Sequence, residues 1–162
     1  RATTMAFRAA TALFGWMGIE CNLLAIDDAE REVLARAIAL HKRHRDLLHS
    51  GDHVRFDCED PGAVAHGTYA PDRSEALVAW AQLDAPSRTL PPSWRMPDLA
   101  REAAYEVRVE PLESGIRGAG RAVPRWVADG VRVSGAELAD VGLQPPSMWP
   151  GTAMVLHLRH VG

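Results

Sequence analysis

The sequence predicts an α+β protein: a helical opening third followed by a small antiparallel β unit. Three observations carry that reading. Residues 4–50 hold two helix-like stretches around one short apolar run. Residues 53–160 hold short β-type runs punctuated by Gly and Pro. The texture changes between Asp57 and Leu83, where Pro71 presets φ for a turn and Asp72 and Ser74 can bond their own backbone. Ala76, Leu77, Val78, Ala79 and Trp80 then read as a buried strand.

Thr4 to Trp16 carries Ala6, Ala9, Ala10, Ala12, Leu13 and Phe14 with few breakers, which predicts a helix apolar around much of its circumference. Gly15 and Gly18 bracket its end, and Ile19 to Leu24 follows as an expected buried strand. Asp27 to Ser50 is the strongest helix. Asp27 and Glu30 have capping-box-like spacing, Leu34, Ile38, His41 and Leu48 recur near the helical period, and Gly51 supplies the stop. Helix, strand, helix in that order is a piece of an α/β barrel or of a doubly wound sheet, because a parallel strand needs other strands beside it. Apolar surface on the first helix and strand would need covering, so self-association into a homo-oligomer is expected.

From His53 onward the expected strands are His53 to Cys58, Val64 to Tyr69, Ala76 to Leu83, Ala104 to Val109, Val131 to Val133 and Met154 to His160. Pro86, Pro91, Pro92, Pro97 and Pro124 place loops or edges between them, the spacing of an antiparallel β-sandwich. Two units follow, residues 1–51 and 52–162.

A chain of 162 residues and 17.7 kDa, 47% hydrophobic and 24% charged, can bury a core and falls outside disordered and fibrous classes. Its net charge of −3 offers no field for a phosphate backbone, so nucleic acid is excluded as a first reading. Lys42, Arg43 and Arg45 alternate with leucines and read as a solvated helix face. Two cysteines, Cys21 and Cys58, build no disulfide scaffold and favour a reducing, cytoplasmic compartment. No apolar run approaches the roughly 20 residues that cross a bilayer, so no membrane partner is expected. The chain opens at Arg1, and its true N-terminus is expected to lie elsewhere.

Side chains with chemistry in them are scattered. His41 and His44 share a helix face without the intervening Glu of zinc proteases, and His157 and His160 fall on opposite strand faces, so no metal site is expected. No serine sits in a Gly-x-Ser-x-Gly elbow. Gly115, Gly118 and Gly120 are in the wrong order for a dinucleotide fingerprint and read as a loop, so no cofactor is expected. Asp27 with Asp28, and Glu59 with Asp60, read as capping or solvated acids. Trp80, Trp94, Trp126 and Trp149 are either core residues or a platform for stacking sugar rings, and Trp80, Trp126 and Trp149 are the candidates for stacking.

Three segments together resemble the C-terminal end of bacterial melibiase-type α-galactosidases, family 36 of the glycoside hydrolases. The first is Gly18 to Leu24, Gly-Ile-Glu-Cys-Asn-Leu-Leu, similar to a Gly-aromatic/Ile-Glu-x-Asp-Leu run at the last strand of that family's barrel. The second runs from His41 to Gly51 and on through the turn Pro71 to Leu77, and the third comprises Val133 to Gln144 and Ala153 to Leu158. The resemblance implies the end of a (β/α)8 barrel followed by a β domain packed on it. It also implies retaining hydrolysis of terminal α-linked galactose by the full-length enzyme, acting on α-galactoside oligosaccharides.

A retaining glycosidase needs two carboxylates about 5 to 5.5 Å apart. The resemblance places the nucleophile in a Lys-x-Asp motif and the acid/base Asp on a later loop, both upstream. The only lysine, Lys42, is followed by Arg43 and His44, so no catalytic residue is assigned to this chain. Cys21 and Asn22 stand where relatives show Trp or Leu and then Asp. By the resemblance Glu20 and Asn22, at the end of a barrel strand, are the substrate-proximal candidates, with orientation or barrel stability as the competing role. A carbohydrate-binding or subunit-assembly module is the alternative reading of the β unit, and N-acetylgalactosamine is an alternative sugar for the whole enzyme.

Overall fold

In the computed structural model, which describes residues 3–112, 116 and 123–162, three helices come first and six antiparallel strands follow, with two short helices among the later strands, an α+β arrangement. Gly115, Gly118 and Gly120 lie outside the described residues. Helix α1 (Met5–Ala12) begins where the Thr4 hydroxyl accepts a hydrogen bond from the Phe7 amide at 3.1 Å, giving a partner to an amide that the first turn leaves free. It ends at Ala12, short of the expected Trp16, which stands 91% exposed in the loop beyond.

Helix α2 (Asp28–Arg43) is capped as expected: the Asp27 carboxylate accepts from the Glu30 amide at 2.8 Å. Val33, Leu34, Ala37 and Leu40 form its buried stripe. The single helix expected through Ser50 is instead broken at His44, where φ is −109° and ψ 19°, and resumes as α3 (Arg45–Ser50). The break lets Leu47 and Leu48 reach the same core while the buried His44 ring is carried to a half-buried carboxylate on the sheet, Glu75. At Gly51 a Cβ would lie 2.6 Å from the Tyr69 carbonyl oxygen, so only glycine lets the helix turn so closely into the sheet.

The six expected strands are all present: β1 (Asp52–Phe56), β2 (Ala63–Tyr69), β3 (Glu75–Gln82), β4 (Ala104–Glu110), β5 (Val131–Ser134) and β6 (Thr152–His160). All pairings are antiparallel, in one sheet ordered β1-β2-β3-β6-β4-β5. The period of two along a strand divides its side chains between two cores. Ala76, Val78 and Trp80 on β3, with Met154, Leu156 and Leu158 on β6, face Trp94, Met96, Leu99 and Leu138. Leu77, Ala79 and Val155 face α1, α2 and α3. The central strands are therefore covered on both sides, which is why β3 reads as an unbroken apolar run.

Two short helices were not anticipated, α4 (Arg125–Asp129) and α5 (Gly135–Asp140). The second has a visible signature, a capping box in which Ser134 Oγ accepts from the Glu137 amide at 3.1 Å and the Glu137 carboxylate accepts from the Ser134 amide at 2.7 Å. Asp60, read as solvated, is 1% exposed; it accepts from the Gly62 amide at 2.9 Å and from the Ser87 amide at 3.3 Å, closing the loop between β1 and β2.

The strand expected at Ile19 to Leu24 does not form, and these residues belong to an exposed loop. A strand is stable only with a neighbour to bond, and among the described residues the six strands pair solely with one another. The loop is held locally instead, by the Leu24 amide on Asn22 Oδ1 at 3.0 Å and the Ala25 amide on the Asn22 carbonyl at 2.9 Å. No helix among the described residues is long and apolar enough to cross a membrane.

Candidate functional site

The turn before β3 behaves as its residues dictate. Asp72 Oδ1 accepts from the Ser74 amide at 3.0 Å and from its hydroxyl at 2.6 Å. Arg73 sits in the left-handed region at φ 61°, and its guanidinium spans the Asp98 carbonyl at 3.0 Å, the Ala70 carbonyl at 3.0 Å and the Asp52 carboxylate. This fastening sets the first residue of β3, Glu75, on the helix-facing side of the sheet. Leu77, two residues on, shares that side and stands opposite His157 of β6, which is in turn opposite Arg108 of β4. The break between α2 and α3 brings His44 down onto the same spot.

The result is a cluster at the seam between helices and sheet. Glu75 Oε1 lies 3.0 Å from His44 Nδ1 and 2.7 Å from His157 Nε2, and the two imidazole rings are 4.6 Å apart. Arg43 Nε donates to His44 Nε2 at 3.2 Å, while its terminal nitrogen pairs with Glu110 of β4 at 2.8 Å. A nitrogen that accepts carries no proton, so neutral His44 holds its hydrogen on Nδ1 and donates it to Glu75. Burial, and then the neighbouring His157 ring, hold the His44 pKa below the usual imidazole value, with Glu75 opposing them.

His44, Glu75 and His157 are also the one group among the described residues whose ligand atoms, all within 4.8 Å of one another, lie close enough to share a cation. The hydrogen bonding runs against that use. A metal on His44 Nδ1 would require the proton on Nε2, where Arg43 already donates. The cluster is therefore a charge-assisted clamp in which one carboxylate oxygen serves both imidazoles.

The residues singled out from the sequence lie elsewhere. Glu20 and Asn22 are exposed in the loop after α1, Glu20 beside Met5, Arg8 and Met17 in a shallow recess and Asn22 turned back on its own backbone. Trp80 is 1% exposed, with its ring 5.6 Å from that of Trp94, so it has no face to offer a sugar and the stacking role is corrected to a core role. Trp126 is half-buried and donates to the Gln144 carbonyl at 3.0 Å. Trp149, 54% exposed, is the candidate whose ring remains available. Local sequence does not reveal the clamp, because its members come from positions 44, 75 and 157 and meet only through folding. The available signal was an acidic residue opening an otherwise apolar strand and a histidine within an apolar helical stripe.

Comparison with known proteins accounts for nearly the whole chain. Residues 63–158 match the model of the glycosyl hydrolase family 36 C-terminal domain, and residues 1–51 match the Melibiase model. The chain belongs to glycosyl hydrolase family 36. An α-galactosidase of Escherichia coli is 37% identical over 164 residues, a match covering 98% of this family 36 chain and 23% of that relative. Among solved structures, the family 36 α-galactosidase AgaA of Geobacillus stearothermophilus in complex with raffinose superposes with a TM-score of 0.78 at 22% identity, covering 99% of this chain and 20% of that one. The α-galactosidase from Lactobacillus brevis does so with a TM-score of 0.78 at 18% identity, covering 100% of this chain and 21% of that one. At these identities the structures show a shared fold. The family 36 chain thus spans about a quarter of the length of the curated relative it matches. Its clamp joins the two matched regions, His44 lying in the first and Glu75, Glu110 and His157 in the second.

Proposed function

We propose that this chain is the C-terminal part of an α-galactosidase, itself structural and non-catalytic. In the whole enzyme residues 1–51 end a (β/α)8 barrel and residues 52–162 pack on it as the β domain. Retaining hydrolysis of terminal α-linked galactose is performed by two carboxylates of the barrel outside this chain. The observation that carries the reading is the ordered pair of family matches, Melibiase over residues 1–51 and the family 36 C-terminal domain over residues 63–158. The names of the Escherichia coli and Geobacillus relatives support α-galactosides as the substrate class. Glu20 and Asn22, exposed at the end of what becomes the last barrel strand, lie near substrate once the barrel is whole. The free Cys21 and Cys58 support a reducing, cytoplasmic setting.

The test is turnover of a chromogenic α-galactoside. The purified 162-residue chain is expected to release no chromophore, whereas the complete enzyme releases it. Measurable hydrolysis by the chain alone would refute the reading. The exposure of Trp149 favours a second role, sugar binding or subunit contact by the β domain. Galactoside binding seen by titration and lost in Trp149→Ala would favour the sugar-binding role, and silence would leave structural support as the role of the β domain.

A further inference from the structure

We propose that His44, Glu75 and His157 form a proton-operated latch between the helical layer and the sheet, closed at neutral pH and released by acid. This holds whatever sugar the whole enzyme cleaves. The argument begins with how few polar links cross the seam. Most of it is apolar packing, with α1, α2 and α3 set on Leu77, Ala79 and Val155. At the junction of α2 and α3, His44 is 4% exposed and spends both ring nitrogens, Nδ1 as donor to Glu75 on β3 and Nε2 as acceptor from Arg43. Arg43 is meanwhile tied to Glu110 on β4. One helix end is thus fastened to β3 through a single neutral imidazole and to β4 through the guanidinium that donates to that imidazole.

A proton added to His44 can land only on Nε2, where it points at the Arg43 N–H. Two donors then face each other, and the guanidinium has to withdraw from Nε2 and strain or release its 2.8 Å bond to Glu110. The new cation also shares one carboxylate oxygen with His157, 4.6 Å away ring to ring. The other charges around the cluster do not absorb it. Glu110 lies 3.9 Å from His157 Nδ1 but is held by Arg43. On β4 and β6, Arg108 and Arg159 add positive charge and are both bound to Glu106, leaving no free acid on that side among the described residues. One proton therefore loosens the links from the helices to both β3 and β4.

Three measurements on the full chain decide the matter. Nitrogen-15 spectra of the histidine rings at pH 7.5 are expected to show His44 neutral with its proton on Nδ1; a proton on Nε2 would overturn the proposal without any variant. On moving to pH 5, amide-exchange protection, corrected for the intrinsic rate, is expected to fall roughly threefold or more in α2 and α3 relative to β3 and β6. His44→Asn keeps a donor facing Glu75 but cannot gain a proton, and should abolish that difference. An equal loss in helices and strands, or an unchanged acid response in His44→Asn, counts against the latch. Stoichiometric zinc binding to the wild-type chain, lost in His44→Asn, would assign the cluster to a metal instead.

Discussion

Burial decides which form the three shifted histidines prefer. The pKa values of His44, His66 and His41 are all held below the ordinary 6.5, chiefly by desolvation. The unfolded chain then binds protons that the folded chain resists, so stability is complete above about pH 6.5 and declines as the pH falls through that value. Urea midpoints measured from pH 8 to pH 5 should fall monotonically, and a flat or rising series would contradict the burial argument. Asp60 tests the same physics for a buried acceptor. Its carboxylate serves the Gly62 and Ser87 amides, so Asp60→Ala leaves buried donors unmatched and should cost about 1–3 kcal/mol in chemical denaturation. Its sequence context is that of a solvated loop acid, since nothing in its neighbours announces that residues 84–87 fold over it.

At the level of elements, periodicity predicted the six strands because alternation and unbroken apolar runs are local properties. It overextended α1 and ran α2 through His44, because helix ends depend on where the chain must go next. Gly67 shows how closely β2 and β3 approach: a Cβ there would stand 2.5 Å from Val78 Cγ1 and 2.6 Å from the Leu77 carbonyl oxygen. Gly67→Ala should therefore destabilise by about 1–3 kcal/mol, read as a shift in thermal midpoint, and a neutral effect would mean the strands can part. Ser134→Ala removes the cap of α5 and should cost about 1 kcal/mol, with Ser134→Asp restoring most of it. Ile19 to Leu24 failed as a strand for the opposite reason: its composition suits one, but the ladder it would join is absent from the described residues.

For the whole molecule, the loop after α1 leaves Trp16 91%, Leu24 91% and Leu23 50% exposed, a concentration of apolar surface open to solvent. The chain on its own is expected to self-associate, with sedimentation coefficients that rise with concentration and return to the monomer value in Trp16→Ser/Leu24→Ser. A strictly monomeric wild type would argue that this surface has no covering role. Helical and strand periods, turn residues at Pro71 to Ser74 and the motifs of family 36 are written in short stretches of sequence, so the class, the six strands and the family are legible there. The clamp of His44, Glu75 and His157, the burial of Asp60, and the failure of the isolated strand were decided by tertiary structure alone. Each depends on which distant segments share a face of the sheet, and burial and pairing are properties of that shared space.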